Sequence, residues 1–214
     1  MTRGMEGAEL VGTVVFAISG VIAVAGRPID WFGAIVVGLV TALGGGTIRG
    51  LILGATPVFW IEDQAFLLAA VAGAVAAIPL AGALRHGSVR RFEESLQLAD
   101  AAGLALFTIV GASVALDLGF DGPVAVVAGL ITGVAGGIMR DVLTGRTPLV
   151  MSGEIYATAA LLGAVVFVGL DELTSVGEPV ASTIGGIVIL GLRVLGIRRQ
   201  WSLPPLPHAP AKDG

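Results

Sequence analysis

The sequence predicts an all-α, multi-pass membrane protein made of two inverted three-helix repeats and a seventh helix. Three observations lead there: an apolar composition, seven apolar stretches of bilayer length, and an unusual segment that occurs twice, 91 positions apart. Of the 214 residues, 55% are hydrophobic and 13% charged, against about 25% charged in soluble domains. Mean hydropathy is +0.94. A helix crosses a bilayer in about 17–25 apolar residues, and such stretches lie at about 9–26, 32–53, 64–84, 96–116, 123–144, 154–170 and 179–196. Little is left for a soluble domain, so residues 8–197 read as one membrane domain.

The first stretch is a mature helix rather than a cleaved signal, because Arg3 is opposed by Glu6 and Glu9 and the same pattern returns at 100–116. The second carries Gly44-Gly45-Gly46 and Arg49 and ends before Pro57. The third completes a first repeat at 8–84, and the mixed-charge connection 84–94, with Arg90 and Arg91 as topology anchors, leads to a second at 95–170. The fourth stretch repeats the first, and the fifth repeats the second, with Gly133, Gly136, Gly137, Arg140 and a stop before Pro148. The sixth closes the second repeat. The seventh, 178–197, lies outside the duplication and packs around the bundle or between subunits. Pro204, Pro205, Pro207 and Pro210 make 198–214 a flexible tail. Trp31, Trp60, Tyr156 and Trp201 stand near helix ends as interfacial anchors.

At the offset of 91, Gly12 meets Gly103, Phe16 meets Phe107, Gly20 meets Gly111 and Gly45-Gly46 meets Gly136-Gly137. Arg49, Gly54, Thr56 and Pro57 meet Arg140, Gly145, Thr147 and Pro148. Three crossings per repeat turn the second copy upside down. Seven crossings then put the termini on opposite sides. Arg27, Arg85, Arg90, Arg91, Arg146, Arg198, Arg199 and Lys212 fall on the C-terminal side, with Arg193 near the end of the last helix, whereas Arg3, Glu6, Glu62, Asp63, Asp117, Asp121, Asp171, Glu172 and Glu178 fall on the other. The positive-inside rule places the C-terminus in the cytoplasm and the N-terminus outside or in the periplasm, as suits a bacterial inner membrane.

Glycines 44–46 and 136–137 lack the side chains that keep a helix regular, so both helices can bend or break at mid-span. Freed carbonyls near Gly44, Gly45 and Gly136 would then face water or hold a transient monovalent cation. The structural alternative is close helix packing, for which Gly129, Gly133 and Gly137 have the four-residue spacing. Arg49 and Arg140 each follow their glycines by three residues, a rise of about 4.5 Å. An arginine inside a span costs roughly 2.5–3.5 kcal/mol, so it faces an internal network or gate, or snorkels to the headgroups. Asp141 offers Arg140 a local ion pair, while Gly50 stands at the matching place beside Arg49.

Phe16, Phe107, Gly20 and Gly111 read as packing, and Ser19, Thr108 and Ser113 as hydroxyls that line a passage or bond to their own helix. There is no cysteine, and His86 and His208 have no second ligand at metal-binding spacing. Neither a phosphate-binding glycine loop nor a nucleophile–base–acid set is present, so the chain reads as no enzyme and as needing no cofactor. Basic residues scattered among short loops exclude nucleic acid as a partner.

The paired Gly-Gly-Gly-Thr-Ile-Arg at 44–49 and Gly-Gly-Ile-Met-Arg-Asp at 136–141, within a three-plus-three-plus-one pattern, resemble the trimeric intracellular cation (TRIC) channel family over about residues 8–197. The likeness is to its prokaryotic branch, also known as glycine-transporter-like or as an uncharacterised membrane family. The resemblance implies a homotrimer in membrane lipid, each protomer holding its own pore for potassium and sodium. Gly44, Gly45, Gly46, Gly136 and Gly137 would be the kinks that constrict the pore, and Arg49, Arg140 and Asp141 its gate or electrostatic control. Gly50 and Ala135 depart from the family pattern and make the two halves unequal. From residues alone, a secondary transporter of a small solute such as a small amino acid, or a non-transporting scaffold, fits the same pattern.

Overall fold

The structure, a computed structural model, describes residues 3–85, 89–202 and 204. The element order is α1 (Arg3–Ala23), α2 (Trp31–Ile52), α3 (Phe59–Glu62), α4 (Gln64–Arg85), α5 (Val89–Asp117), α6 (Gly122–Leu143), a 3₁₀ turn (Leu149–Met151), α7 (Ala157–Leu173) and α8 (Glu178–Arg199). Among the described residues, six helices, α1, α2, α4, α5, α6 and α8, are long and apolar enough to cross a membrane. The segment expected at 154–170 appears as α7, with 17 residues.

Two helix starts lie well before the hydropathy reading. α1 begins at Arg3 rather than 9, and α5 at Val89 rather than 96, so most of the expected 84–94 connection is helix. The cause at α5 is packing: Phe92 and Leu96, one turn apart, are buried against Ile22 and Ala23 of α1. Residues 86–88, the side chains of Arg90 and Arg91, and the proline-rich tail from 205 onward lie outside the described residues.

Two large apolar cores form beside the small cluster of Ile22, Ala23, Phe92 and Leu96. One gathers α1, α2 and α4 around Phe16, Val21, Val37, Ala70, Ala74 and Phe107. The other gathers α5, α6, α7 and α8 around Leu104, Val110, Ala128, Phe167 and Ile189. α8 packs on α5 and α7. Exposed Leu68, Val75, Leu162, Val165 and Ile187 give the bundle an apolar outer surface, the side that lipid covers in a membrane protein.

Where the cores meet, contacts come in reciprocal pairs. Phe16 and Phe107 stack with centroids 5.1 Å apart. Phe16 lies over Gly103 and Phe107 over Gly12. A methyl group on Gly45 would fall on the Thr132 carbonyl oxygen, and one on Gly136 on that of Thr41. The Thr41 hydroxyl donates to the Val37 carbonyl at 2.6 Å, and that of Thr132 to the Ala128 carbonyl at 2.6 Å. For the contacts between the cores, adding 91 to one member and subtracting it from the other returns the mate, and for the two threonine bonds adding 91 to both members does so. Both α2 and α6 also end alike, with Gly54 at φ 69° and Gly145 at φ 59°, the left-handed position that glycine takes after a helix C-terminus.

Candidate functional site

α2 and α6 cross in backbone contact at Gly45 and Gly136, and both helices run through this point without a break. In this arrangement the break expected near Gly44, Gly45 and Gly136 is not seen. The reason lies across the interface. Glycine is needed where the other helix's backbone comes too close for a Cβ, and satisfying that contact leaves the intrahelical hydrogen bonds intact. The neighbouring glycines make room for side chains: Gly44 for Met139, Gly46 for Phe59 and Gly137 for the Tyr156 hydroxyl.

Each arginine stands one turn past the crossing on its own helix, about 6 Å along the axis from Gly45 or Gly136. α2 runs from the end of the bundle bearing Arg27 and α6 from the end bearing Asp121, so Arg49 and Arg140 lie on opposite sides of the crossing. Neither snorkels, because Arg49 is 5% exposed and Arg140 is fully buried. A cation so placed needs carboxylate partners, and the fold supplies them. Arg49 Nη2 donates to Glu9 Oε1 at 2.8 Å, and its guanidinium lies 5.6 Å from the Phe59 ring centre.

Arg140 is held more fully. Its Nη1 donates to Asp100 Oδ1 at 2.6 Å and to Ser19 Oγ at 2.6 Å, and its Nε to Asp141 Oδ1 at 2.8 Å. The other Asp141 oxygen accepts from the Leu149 amide at 3.2 Å, which ties the ion pair to the 3₁₀ turn. Arg49 has one carboxylate where Arg140 has two, and Arg49 Nε and Nη1 find no protein partner among the described residues. The halves therefore share a plan and differ in strength.

Four participants escaped the sequence reading in this role. Glu9 was read as a counter-charge to Arg3 and is instead 1% exposed beside Arg49. Asp100 was not singled out, although it stands 91 residues after Glu9 and each is 40 residues before its arginine. Tyr156 is no interfacial anchor: it is 1% exposed and its hydroxyl reaches Asp100 Oδ1 at 3.5 Å. Arg193 was read as a basic residue near the last helix end and is fully buried. Of the three hydroxyls singled out, Ser19 binds Arg140, Ser113 donates to Glu178 at 2.6 Å, and Thr108 faces Gly133. Trp60 is half-buried and donates to the Thr47 hydroxyl at 3.0 Å.

Chemically, the arrangement is a buried contact between two helices with an ion pair on each side. Glu9, Asp100 and Asp141 set three negative charges against the two positive charges of Arg49 and Arg140, a surplus of one negative charge. Such a surplus favours cations over anions wherever water and ions reach it.

A family model described as "Glycine transporter" matches the chain twice, at residues 7–81 and 97–172. The UPF0126 inner membrane protein YadS of Escherichia coli (strain K12) is 41% identical over 196 residues, covering 92% of this chain and 93% of that protein. A UPF0126 membrane protein of Deinococcus radiodurans is 39% identical over 215 residues, covering 98% and 95%. Among solved structures, the TRIC trimeric intracellular cation channel orthologue from Rhodobacter sphaeroides superposes with a TM-score of 0.86 at 36% identity, over 94% of this chain and 100% of that one. A prokaryotic TRIC channel solved in 0.5 M KCl gives 0.85 at 28% identity, over 95% and 100%. The chain is a multi-pass integral membrane protein.

Proposed function

Because this chain belongs to the trimeric intracellular cation channel family, we propose that it is a monovalent cation channel, permeable to potassium and sodium, with one passage per protomer between α2 and α6. It is not an enzyme, in line with the channels it matches in structure. The observation that carries the reading is the glycine crossing flanked by Arg49–Glu9 and Arg140–Asp100. Charged groups inside a membrane are expensive and face a bundle interior or a water-filled path. With α2 and α6 in contact the passage is closed. When they part, the arginines swing aside and Glu9 and Asp100 meet the entering cation. The kink expected at Gly44–Gly46 and Gly136–Gly137 belongs to that parted state, in which carbonyls near Gly44, Gly45 and Gly136 become ligands for a passing ion.

The reciprocal contacts and the twice-matching family model support inverted repeats. With α7 counted as a crossing, seven spans put the N-terminus in the periplasm and the C-terminus in the cytoplasm of a bacterial inner membrane. The packing supports a shared polarity of the ends, since Glu178 meets Ser113 at one end and Arg146 meets Glu93 at the other. Cysteines introduced at Glu6 and Glu94 are expected to label from opposite faces of the membrane, and labelling from one face overturns this topology. The chain assembles as a homotrimer in lipid, and a detergent-corrected mass of one protomer contradicts that assembly.

Purified protein in planar bilayers under a potassium gradient is expected to carry unitary current with no counter-substrate, reversing toward the potassium equilibrium potential. Saturable uptake of a small solute without unitary current replaces the channel with a secondary transporter. Absence of both leaves a scaffold.

A further inference from the structure

Helix α8 lies outside the two-repeat pattern, yet it sends a buried arginine toward one of the two ion pairs. Arg193 Nη1 donates to Glu154 Oε2 at 3.3 Å and to the Ile155 carbonyl at 3.0 Å, and its guanidinium lies 4.9 Å from the Tyr156 ring centre. Glu154 is held from a second side, because Gln97 Nε2 donates to its Oε1 at 3.5 Å. Its backbone pairs with Ser202 just beyond α8. The Tyr156 hydroxyl reaches Asp100 Oδ1 in space left by Gly137, where a Cβ would stand 2.7 Å from it. An unbroken chain of contacts thus runs from α8 through Arg193, Tyr156 and Asp100 to Arg140.

The first repeat is built differently at the matching places. Subtracting 91 from Tyr156 gives Ala65, and from Glu154 gives Asp63. There Asp63 Oδ1 accepts the Ala65 amide at 2.8 Å at the start of α4. Arg49 therefore has Glu9 and the Phe59 ring but no tyrosine behind its carboxylate.

We propose that Arg193 is a positioning residue: from α8 it fixes Tyr156 and, through the tyrosine hydroxyl, the Asp100 carboxylate that holds Arg140, so that α8 governs the second ion pair and not the first. The positioning stands on the contacts alone, and its consequence for ion flow rests on the channel reading above. A guanidinium offers a planar fork that an ammonium or an amide does not. Lysine at 193 keeps the charge and loses the fork. Glutamine loses both.

Tyr156 is the single tyrosine of the chain, so the full-length protein with 13Cζ-labelled tyrosine gives one resonance from this position. Asp100→Asn is expected to displace that resonance, because the hydroxyl loses a charged acceptor. In the Arg193→Gln background the same Asp100→Asn change is expected to displace it by less than about a third as much, the non-additivity of coupled neighbours. A full displacement in that background overturns the proposal. Should Arg193→Gln not yield dispersed protein, Arg193→Lys carries the same comparison: a reduced displacement supports the proposal and a full one overturns it.

In single-channel recording, Arg193→Gln is expected to change open lifetime by about threefold or more while unitary conductance stays that of the parent, the mark of a shifted population rather than an altered path. Combining it with Tyr156→Phe is expected to add nothing, whereas combining it with Arg49→Ala adds in full. Parental lifetimes in Arg193→Gln overturn control by α8. A parent without current overturns the channel reading, while the tyrosine resonance still decides the positioning.

Discussion

Arg140→Met is expected to destabilise the protein more than any other single charge removal in the bundle, by about 3–5 kcal/mol, the usual cost of stranding a buried ion-pair partner. Two carboxylates, Asp100 and Asp141, lose their shared guanidinium at once, and Ser19 loses a donor. In a chain of this size such a loss lowers the thermal midpoint by on the order of 10 °C. Arg49→Met strands only Glu9, so a smaller loss is expected there. Adding Asp100→Asn to Arg140→Met is expected to recover part of the loss, because it removes one stranded charge. The measurement is thermal unfolding in detergent, followed by loss of the monodisperse peak. A midpoint for Arg140→Met within about 2 °C of the parent, or a deeper loss for Arg49→Met, defeats the argument that the second pair is the stronger.

The unequal pairs also show what the sequence could reveal. Hydropathy located α2, α4 and α6 to within a residue or so, because a spanning helix is defined by the solvent around it. It misplaced the starts of α1 and α5, where the helix continues past the apolar stretch under the control of tertiary contacts such as those of Phe92 and Leu96. The offset of 91 exposed the glycines and arginines, and extended to acidic residues it would have exposed Glu9 and Asp100 as well. Arg193 and Tyr156 have no counterpart in a repeat, and their isolation in the pattern is why nothing in the sequence drew them together.

Whether a glycine marks a break or a crossing was undecidable from its own helix. Consecutive glycines lower the cost of bending and the cost of close approach alike. The deciding fact is the backbone of the other helix, at Thr132 for Gly45 and at Thr41 for Gly136. Residues 87 and 95 positions away in sequence make the crossing, and no local window contains them.

That distinction sets up the second large effect. Alanine is the better helix former by about 1 kcal/mol, so a glycine that serves only its own helix is expected to stabilise the protein when replaced. Gly169→Ala and Gly191→Ala are such cases, since nothing stands within 4 Å of the added methyl at either site. Gly45→Ala and Gly136→Ala are expected to do the opposite. Their methyl groups meet a backbone carbonyl oxygen that cannot rotate away, so α2 and α6 must separate, at an overpacking cost of about 1–3 kcal/mol or more. Under the channel reading the same separation parts the closed contact, so Gly45→Ala should raise the open fraction in bilayer recordings as it lowers the thermal midpoint. Reciprocity sharpens the test: the two substitutions act on one crossing from opposite sides, and the double variant should fall short of the sum of the singles, because helices already parted by one methyl group have room for the second. Gly45→Ala as stable as Gly191→Ala would show that the α2–α6 crossing yields without cost, and the closed contact would then lose its place at the centre of the passage.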